Sequence, residues 1–265
     1  MKIVRTAALA SMAGLAFSAP AHAGNFNINP QDLLAAAQAT AQANFEGLSD
    51  DLAAAIWMNP SNSAEPHSDG IIPVGFSVGA ELSMLKVDNN ASHWAALTAA
   101  SPGLTVPAYV PAPKLRASAG IPFGIDAGIM IVQIPNSNVK VTGFEGRFSI
   151  GQFIPVPMLE ANIRAYQSKL TGITDYTLTD QGVALMVGLD LPFVKPYAEV
   201  GQMKATSTPS GALTSGLVAL SEYSKTVTTT TIGVKITAIP LLTLTGEVAK
   251  VGSKSLTTVK LAVEF

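Results

Sequence analysis

The sequence predicts an all-β protein: an antiparallel transmembrane β-barrel of about ten strands (8 to 12) with a short N-terminal α-helical segment. Three observations favour this fold class. The chain of 265 residues is 48% apolar but only 13% charged, whereas soluble domains carry about 25% charged residues. Apolar residues alternate with small or polar ones in runs of about ten, the length with which a tilted strand crosses a bilayer. Short apolar-Pro-apolar turns separate many of these runs, as proline is suited to strand ends.

The N-terminus has the pattern of a secretory signal peptide. Two basic residues and an apolar stretch precede Ala21-His22-Ala23, which has the small-x-small form of a cleavage site. We expect residues 1–23 to be removed, so that the mature chain begins at Gly24. The alternative is an N-terminal membrane anchor. The chain has no cysteine, so export does not serve to build a disulfide framework.

Residues 24–62 form the expected N-terminal helical segment. Asn29-Pro30 predicts a helix start, and an Ala-rich amphipathic stretch follows it. Gly47 is expected to end this helix, and a second short helix is expected from Ser49. We expect the segment either to be periplasmic, at the barrel mouth or at the inner membrane interface, or to enter the lumen as a plug.

Residues 63–265 form the expected barrel domain. From Ile72 to Met84 every even position is apolar and the odd positions are mostly small or polar, which is the alternation of a half-buried strand. The same pattern recurs along the chain. The ten expected strands are 72–86, 113–120, 125–134, 139–150, 158–168, 181–190, 196–205, 223–236, 241–249 and 255–265.

The connectors between these strands are asymmetric. Proline-containing turns are short, whereas 87–112, 169–180 and 206–222 on the opposite side are long. Short periplasmic turns and long outer loops are typical of bacterial outer-membrane barrels. An even strand number also returns the chain to the periplasmic side, as that arrangement requires.

The C-terminal residues carry a motif. Leu261, Val263 and Phe265 alternate with other residues and end the chain on an aromatic ring. This segment resembles the signal that the barrel-assembly machinery reads in bacterial outer-membrane β-barrel proteins, although Lys260 stands where a Gly is often found and Val263 replaces an aromatic. The chain as a whole resembles uncharacterised proteobacterial barrels with a short N-terminal helical segment. Asn59-Pro60 is also similar to an element of FadL-like transporters.

That resemblance implies a location and partners. It places the exported chain in the cell outer membrane of a Gram-negative bacterium, in contact with outer-membrane lipid, lipopolysaccharide and the barrel-assembly machinery. The formal net charge of −2 and the lack of any basic block exclude a nucleic-acid partner. The sequence does not define the oligomeric state.

Charged residues are expected on the inner face of the barrel. An Arg or Lys on the lipid face costs about 2 to 4 kcal/mol near the membrane midplane, so alternation should send charges to the lumen. Acids and bases are mixed, which permits a network that fills the interior or a path for solutes. The lumen-lining candidates are Glu81, Arg116, Asp126, Glu145, Arg147, Glu160, Arg164, Asp190, Glu199, Lys235, Glu247, Lys260 and Glu264.

Three functions are compatible with this pattern. The first is a small pore or transporter for small or hydrophobic solutes, the second is a structural or interaction barrel with a filled lumen, and the third is an outer-membrane hydrolase. After signal cleavage the histidines are His67 and His93, which lack a metal-ligand spacing, and His93 is expected in a solvated loop. We therefore expect no enzyme, no catalytic or metal-binding residues and no cofactor.

Overall fold

The computed structural model describes residues 26–68, 74–101, 103–134 and 137–265. The expected signal peptide, residues 1–23, lies outside the described residues. No helix in the described ranges combines the length and the apolar character needed to cross a membrane.

The N-terminal segment starts as the sequence predicts. A 3-10 helix spans Pro30–Ala35, and the side-chain oxygen of Asn29 accepts a hydrogen bond from the backbone N–H of Gln31. Proline at the first helical position costs no hydrogen bond, because that N–H has no partner within a helix. Helix α1, Gln38–Ile56, follows.

The expected division of this segment into two short α-helices is wrong. Helix α1 runs without interruption through Gly47 and Ser49. Gly47 has a packing role instead, since a Cβ there would lie 2.6 Å from the ring nitrogen Nδ1 of His93. The glycine allows close approach of the loop that carries His93 and does not end the helix.

Ten antiparallel strands form a closed barrel, each paired with its neighbours in sequence and β1 paired with β10. The prediction of about ten strands is confirmed. The strands are β1 Gly75–Lys86, β2 Tyr109–Ile121, β3 Ile125–Gln133, β4 Lys140–Ser149, β5 Leu159–Thr171, β6 Tyr176–Leu189, β7 Val194–Pro209, β8 Tyr223–Ile239, β9 Leu242–Val251 and β10 Lys254–Glu264.

The barrel has two different ends. We call one the turn end, which holds Phe265 and the connectors 122–124, 150–158, 190–193 and 240–241. We call the other the loop end, which holds the connectors 87–108, 134–139, 172–175, 210–222 and 252–253. Helix α2, Ser92–Ala100, lies in the first of these loops.

One predicted long loop is short. The connector expected at 169–180 is only 172–175, because β5 extends to Thr171 and β6 begins at Tyr176. The alternation of apolar and polar residues did not reveal the true ends of β5 and β6, because the outward residues of both strands change from apolar to polar before the strands end. Polar outward residues such as Gln167 and Gln181 therefore belong to strands and not to a loop.

Side chains alternate between the outside and the inside of the barrel. On β3, Ile125, Ile129 and Ile131 are exposed, whereas Asp126 and Met130 are buried. The outward residues of the ten strands form an apolar belt, and the inward residues enclose the core. The barrel is therefore apolar outside and contains its charges inside.

The inner wall consists of two chemically different halves. On β1, Glu81 lies toward the turn end and Leu85 toward the loop end, and both are 2% exposed. Other strands repeat this change from charged to apolar. Helix α1 packs in the apolar half, where the ring of Phe45 meets that of Tyr176 edge-on at a centroid distance of 5.7 Å.

The helical segment consequently lies in the loop-end half of the barrel. Of the positions expected from the sequence, this corresponds to entry into the lumen and not to the barrel mouth or the inner membrane interface. The physical reason is that the apolar face of α1 needs an apolar surface, and the inner wall offers one only toward the loop end. Loop contacts reinforce this position, since Asn138 exchanges hydrogen bonds with both backbone groups of Ile28 (3.1 and 2.9 Å).

Candidate functional site

After α1 the chain crosses the charged half of the lumen. We call residues 57–65 the strap. Trp57, Met58 and Ser61 are fully buried, and the strap has no regular secondary structure. Because every barrel strand is already paired on both sides, the strap cannot join the sheet. Its backbone groups need other hydrogen-bond partners.

Basic side chains of the wall provide these partners. Five Lys and Arg residues donate to four carbonyl oxygens of the strap, and all five are buried. The pairs are Trp57 with Lys114 (3.2 Å), Met58 with Arg164 (2.7 Å), Pro60 with Arg116 (3.2 Å) and with Arg147 (2.5 Å), and Ser61 with Lys260 (3.0 Å). Charged donors make stronger hydrogen bonds than neutral ones, so the strap is held firmly.

Two glutamates bind further polar groups of the strap. Glu247 accepts hydrogen bonds from the backbone N–H of Ser61 at 2.6 Å and from the side chain of Asn59 at 2.7 Å. The hydroxyl of Tyr197 donates to the same carboxylate at 2.5 Å. Glu81 accepts a hydrogen bond from the hydroxyl of Ser61.

The acids and bases of the wall also pair with each other. The carboxylate of Glu145 lies 3.2 to 3.3 Å from Arg116, Arg147 and Arg164. Arg164 binds Glu199 through two hydrogen bonds of 2.7 and 2.9 Å. Removing one partner of such a buried pair leaves an uncompensated charge, at a cost of about 3 to 5 kcal/mol. The network therefore fixes the strap and the wall together.

The strap leaves the lumen at the turn end. Glu65 forms ion pairs with Lys235 at 2.6 Å and with Lys195 at 3.0 Å. Burial raises the pKa of Glu65, but the charges of these two lysines outweigh it, so the pKa is lower than the ordinary value. Beyond the strap, burial and the charge of Arg147 lower the pKa of His67 to about 4.

Most lumen-lining candidates lie at the strap. Ten of the twelve in the strands and turns before Glu264 have buried, inward-facing side chains: Glu81, Arg116, Asp126, Glu145, Arg147, Arg164, Glu199, Lys235, Glu247 and Lys260. Glu160 and Asp190 are half-buried near the turn end. Asp190 lies in a connector and pairs with Lys195 at 2.6 Å, and Glu264 pairs with Lys235 at 3.1 Å.

Sequence reasoning missed several residues of the site. Lys114 is 1% exposed and faces inward like Arg116, with which it shares strand parity, so alternation alone could have found it. Tyr166 binds the indole of Trp57 at 2.8 Å, and Asn162 binds the carbonyl of Ala64 at 2.9 Å. Both residues lie at alternate positions of β5 together with Arg164, and this alternation predicts inward side chains. Neither residue carries the charge by which the lumen-lining candidates were recognised.

The expectation of a solvated loop around His93 is wrong. His93 is 7% exposed, and its Nε2 lies 2.8 Å from Oδ2 of Asp51 in α1. The indole N–H of Trp94 donates to the same oxygen at 2.8 Å, and Lys254 pairs with the other oxygen. This cluster fixes α2 on α1, closing the loop end.

A small cavity lies inside the loop-end half of the barrel. Between α1 and the wall the described residues leave an apolar cavity of about 10 Å³ beside Leu52, Ile56 and Trp94. That volume corresponds to about one water molecule. Among the described residues, no group of three or more His, Asp or Glu side chains is arranged to hold a metal ion.

Comparison with known proteins identifies similar solved structures. No family model and no curated protein matches the chain. The KdgM porin is 11% identical, with 71% of this chain and 99% of that chain covered and a TM-score of 0.35. The translocator domain of the autotransporter NalP from Neisseria meningitidis is 8% identical, with coverages of 75% and 90% and a TM-score of 0.37.

A third similar structure is the outer membrane protein Omp33 of Acinetobacter baumannii. It is 6% identical, with 77% of this chain and 100% of that chain covered and a TM-score of 0.32. At such identities the likeness concerns the barrel fold alone. The similarity of Asn59-Pro60 to FadL-like transporters receives no support from these structures and stays a prediction.

Proposed function

We propose that the protein is an outer-membrane β-barrel whose lumen is closed by its own N-terminal segment, a structural or interaction barrel rather than an open pore. One observation carries this proposal: five basic wall residues donate hydrogen bonds to four carbonyl oxygens within the first five residues of the strap, as described above. An open pore would leave these wall charges to water. In this protein the basic side chains instead donate their hydrogen bonds to carbonyl oxygens of the strap.

The outer surface supports a membrane location. Outward residues such as Ile129, Leu185 and Val248 are 44 to 57% exposed. In water, an apolar belt of this extent would promote aggregation, whereas in a bilayer it is the required surface. With the short turns in the periplasm, the loop end faces the cell exterior.

Conductance tests whether the lumen is closed. The mature chain from Gly24 would be reconstituted in a planar lipid bilayer beside a variant that lacks residues 30–65, which removes α1 and the strap but no strand. We expect little conductance from the complete chain and a large increase in the variant. Heat-modifiable migration on gels verifies that both barrels are folded.

A matched deletion provides the control. Removing the exposed residues 215–217 from the loop-end connector 210–222 shortens the chain and leaves the hydrogen bonds between Ala219 and Gln38 of α1 in place, so its conductance should stay at the level of the complete chain. A folded complete chain that conducts as well as the 30–65 deletion would contradict the proposal.

A second candidate function is passage of small solutes when α1 withdraws. It is favoured by three inward polar side chains that are buried and lack a hydrogen-bond partner among the described residues: Ser168, Asp180 and Thr229. Buried polar groups are ordinarily paired. Water could hydrate these three if the helix left the lumen, which is how a gated pore would stabilise its open state.

Crosslinking separates the two candidates. The hydroxyl of Tyr176 lies 3.4 Å from that of Ser49 in α1 and 3.0 Å from that of Ser207 in β7. A Ser49→Cys/Ser207→Cys variant would be bridged with dibromobimane, whose fluorescence reports the bridge, since the chain has no other cysteine. Transient conductance steps that disappear on bridging favour the gated pore. A protein that shows no conductance before or after bridging favours the closed barrel.

A further inference from the structure

The outer surface of the barrel carries charge of one sign only. Among the described strand residues that face outward, the charged ones are all lysines, and no Asp or Glu faces outward. We call these residues the lysine girdle. They are Lys86 of β1, Lys140 of β4, Lys169 of β5, Lys204 of β7 and Lys250 of β9.

The girdle lies toward the loop end. Lys86 is the last residue of β1, Lys140 is the first of β4 and Lys250 is the next to last of β9. All five side chains are exposed, and none forms an ion pair with another described residue. In a bilayer these ammonium groups would stand above the apolar belt, at the level of the lipid headgroups.

The lysines occur in local groups. Ser255 of β10 is the register partner of both Lys250 and Lys86. Since adjacent strands are about 4.8 Å apart, the two lysines flank a gap of about 10 Å. On the other side of the barrel, Lys140 and Lys169 occupy diagonal positions on neighbouring strands, opposite Thr171 and Thr142.

A surface groove adjoins Lys204. Its volume is about 560 Å³, and it runs over β4 to β8. The row nearer the belt consists of Gly146, Ala165, Val183 and Gln202, and the row nearer the girdle of Phe144, Gln167, Gln181 and Lys204. The groove is thus mostly apolar toward the belt and, apart from Phe144, polar toward the girdle.

We propose that the lysine girdle binds the phosphate groups of an anionic lipid in the leaflet at the loop end, and that the groove holds an acyl chain of such a lipid. The proposal rests on the bilayer location proposed above. Lysine is suited to this role because its apolar stem can lie along the belt while its ammonium group reaches the headgroup. Free phosphate would explain the lysines but leave the apolar part of the groove without a ligand.

Lipid titration tests the inference on the purified mature protein. The protein in zwitterionic micelles would be titrated with lipid A that carries two phosphates, with fully dephosphorylated lipid A and with inorganic phosphate, and bound molecules would be counted by native mass spectrometry. We expect saturable binding of the phosphorylated lipid at concentrations far below those of the other two. Equal affinity for the dephosphorylated lipid would overturn the inference.

Charge variants identify the binding residues. Each lysine lost should weaken binding about fivefold, so Lys86→Gln/Lys250→Gln should weaken it about 25-fold, whereas Lys86→Arg/Lys250→Arg should retain it. Lys225→Gln is the matched control, because Lys225 points inward and pairs with Asp50. If the double Gln variant binds like the control, the girdle is not the site.

A groove variant distinguishes a lipid from a free anion. A Cβ at Gly146 would meet nothing within 4 Å, so Gly146→Leu should be tolerated by the fold and should fill the groove. We expect it to weaken lipid A binding by about tenfold and to leave any binding of inorganic phosphate unchanged. Unchanged lipid A binding would remove the acyl-chain part of the inference. Because binding is measured in micelles, its outcome is independent of the conductance of the lumen.

Discussion

The indole N–H of Trp57 donates a hydrogen bond of 2.8 Å to the hydroxyl of Tyr166, and both groups are buried inside the barrel. Trp57 directly follows α1 and begins the strap, while Tyr166 belongs to β5. The guanidinium of Arg164 lies 4.3 Å from the centre of the Tyr166 ring. This contact therefore joins the helix, the strap and the charged wall.

Tyr166→Phe should destabilise the barrel by about 1 to 3 kcal/mol, because it leaves the indole N–H of Trp57 buried without an acceptor. Urea unfolding in lipid vesicles measures the change. The double variant Tyr166→Phe/Trp57→Phe should lose less stability than the sum of the two single variants, since both partners of the hydrogen bond are then removed. Tyr109→Phe, on an exposed ring, is the control. An additive double variant would show that this hydrogen bond contributes nothing.

Phe265 should be needed for barrel closure. Its backbone N–H donates to the carbonyl of Phe76 at 2.9 Å, the carbonyl of Phe265 accepts from Phe76 at 3.1 Å, and the two rings stack with centroids 4.6 Å apart. Deleting Phe265 removes the ring and both hydrogen bonds at the β1–β10 junction. We expect a lower yield of heat-modifiable barrel in cells. Phe265→Tyr should preserve the yield, and an unchanged yield after the deletion would refute the prediction.

The free-energy cost of placing a charge on the outer surface should depend on its distance from the membrane midplane. Leu185 lies within the apolar belt, whereas Gln181 faces outward on the same strand but next to Lys204. Leu185→Arg should destabilise the barrel by about 2 to 4 kcal/mol and Gln181→Arg by at most about 1 kcal/mol. Vesicle-based unfolding measures both. Equal losses would mean that the belt does not face lipid.

Acid should weaken the attachment of the strap at the turn end. The folded protein lowers the pKa of Glu65 through Lys235 and Lys195. The resulting stability is present above the unfolded pKa of about 4.3 and is lost as the pH falls through the folded pKa. The unfolding free energy should therefore decrease below about pH 5. Glu65→Gln should make this decrease smaller, and Glu222→Gln, on an exposed side chain, should not.

Alternation along the strands made the barrel predictable, because the side chains of every strand face the outside of the barrel and the lumen in turn. The position of α1 was left open between the periplasmic side and the lumen, although the sequence contains a pattern that distinguishes them. Inward residues change along a strand from charged to apolar, as on β2 from Arg116 and Lys114 to Ala112 and Val110. That change indicates which half of the lumen can receive an apolar helix.

The hydrogen bonds of the strap could not be predicted. Arg147 and Pro60 are far apart in the chain. Their contact depends on how far from the turn end each residue of the strap lies along the barrel axis. Charge segregation predicts a polar interior but not whether water or protein occupies it. The same residues would suit a solute path if the N-terminal segment were elsewhere.

The N-terminal segment is topologically enclosed. Phe26 is held at the loop end by a hydrogen bond from Ser137 to its carbonyl, while His67 meets Asp126 near the turn end, so the chain between them passes through a closed ring of strands. A bulky helix such as α1 cannot be drawn through the charged half after the ring has closed. In the complete chain, the β1–β10 junction therefore closes around a segment that is already inside, so the N-terminal segment reaches the lumen before the last strand pairs with the first.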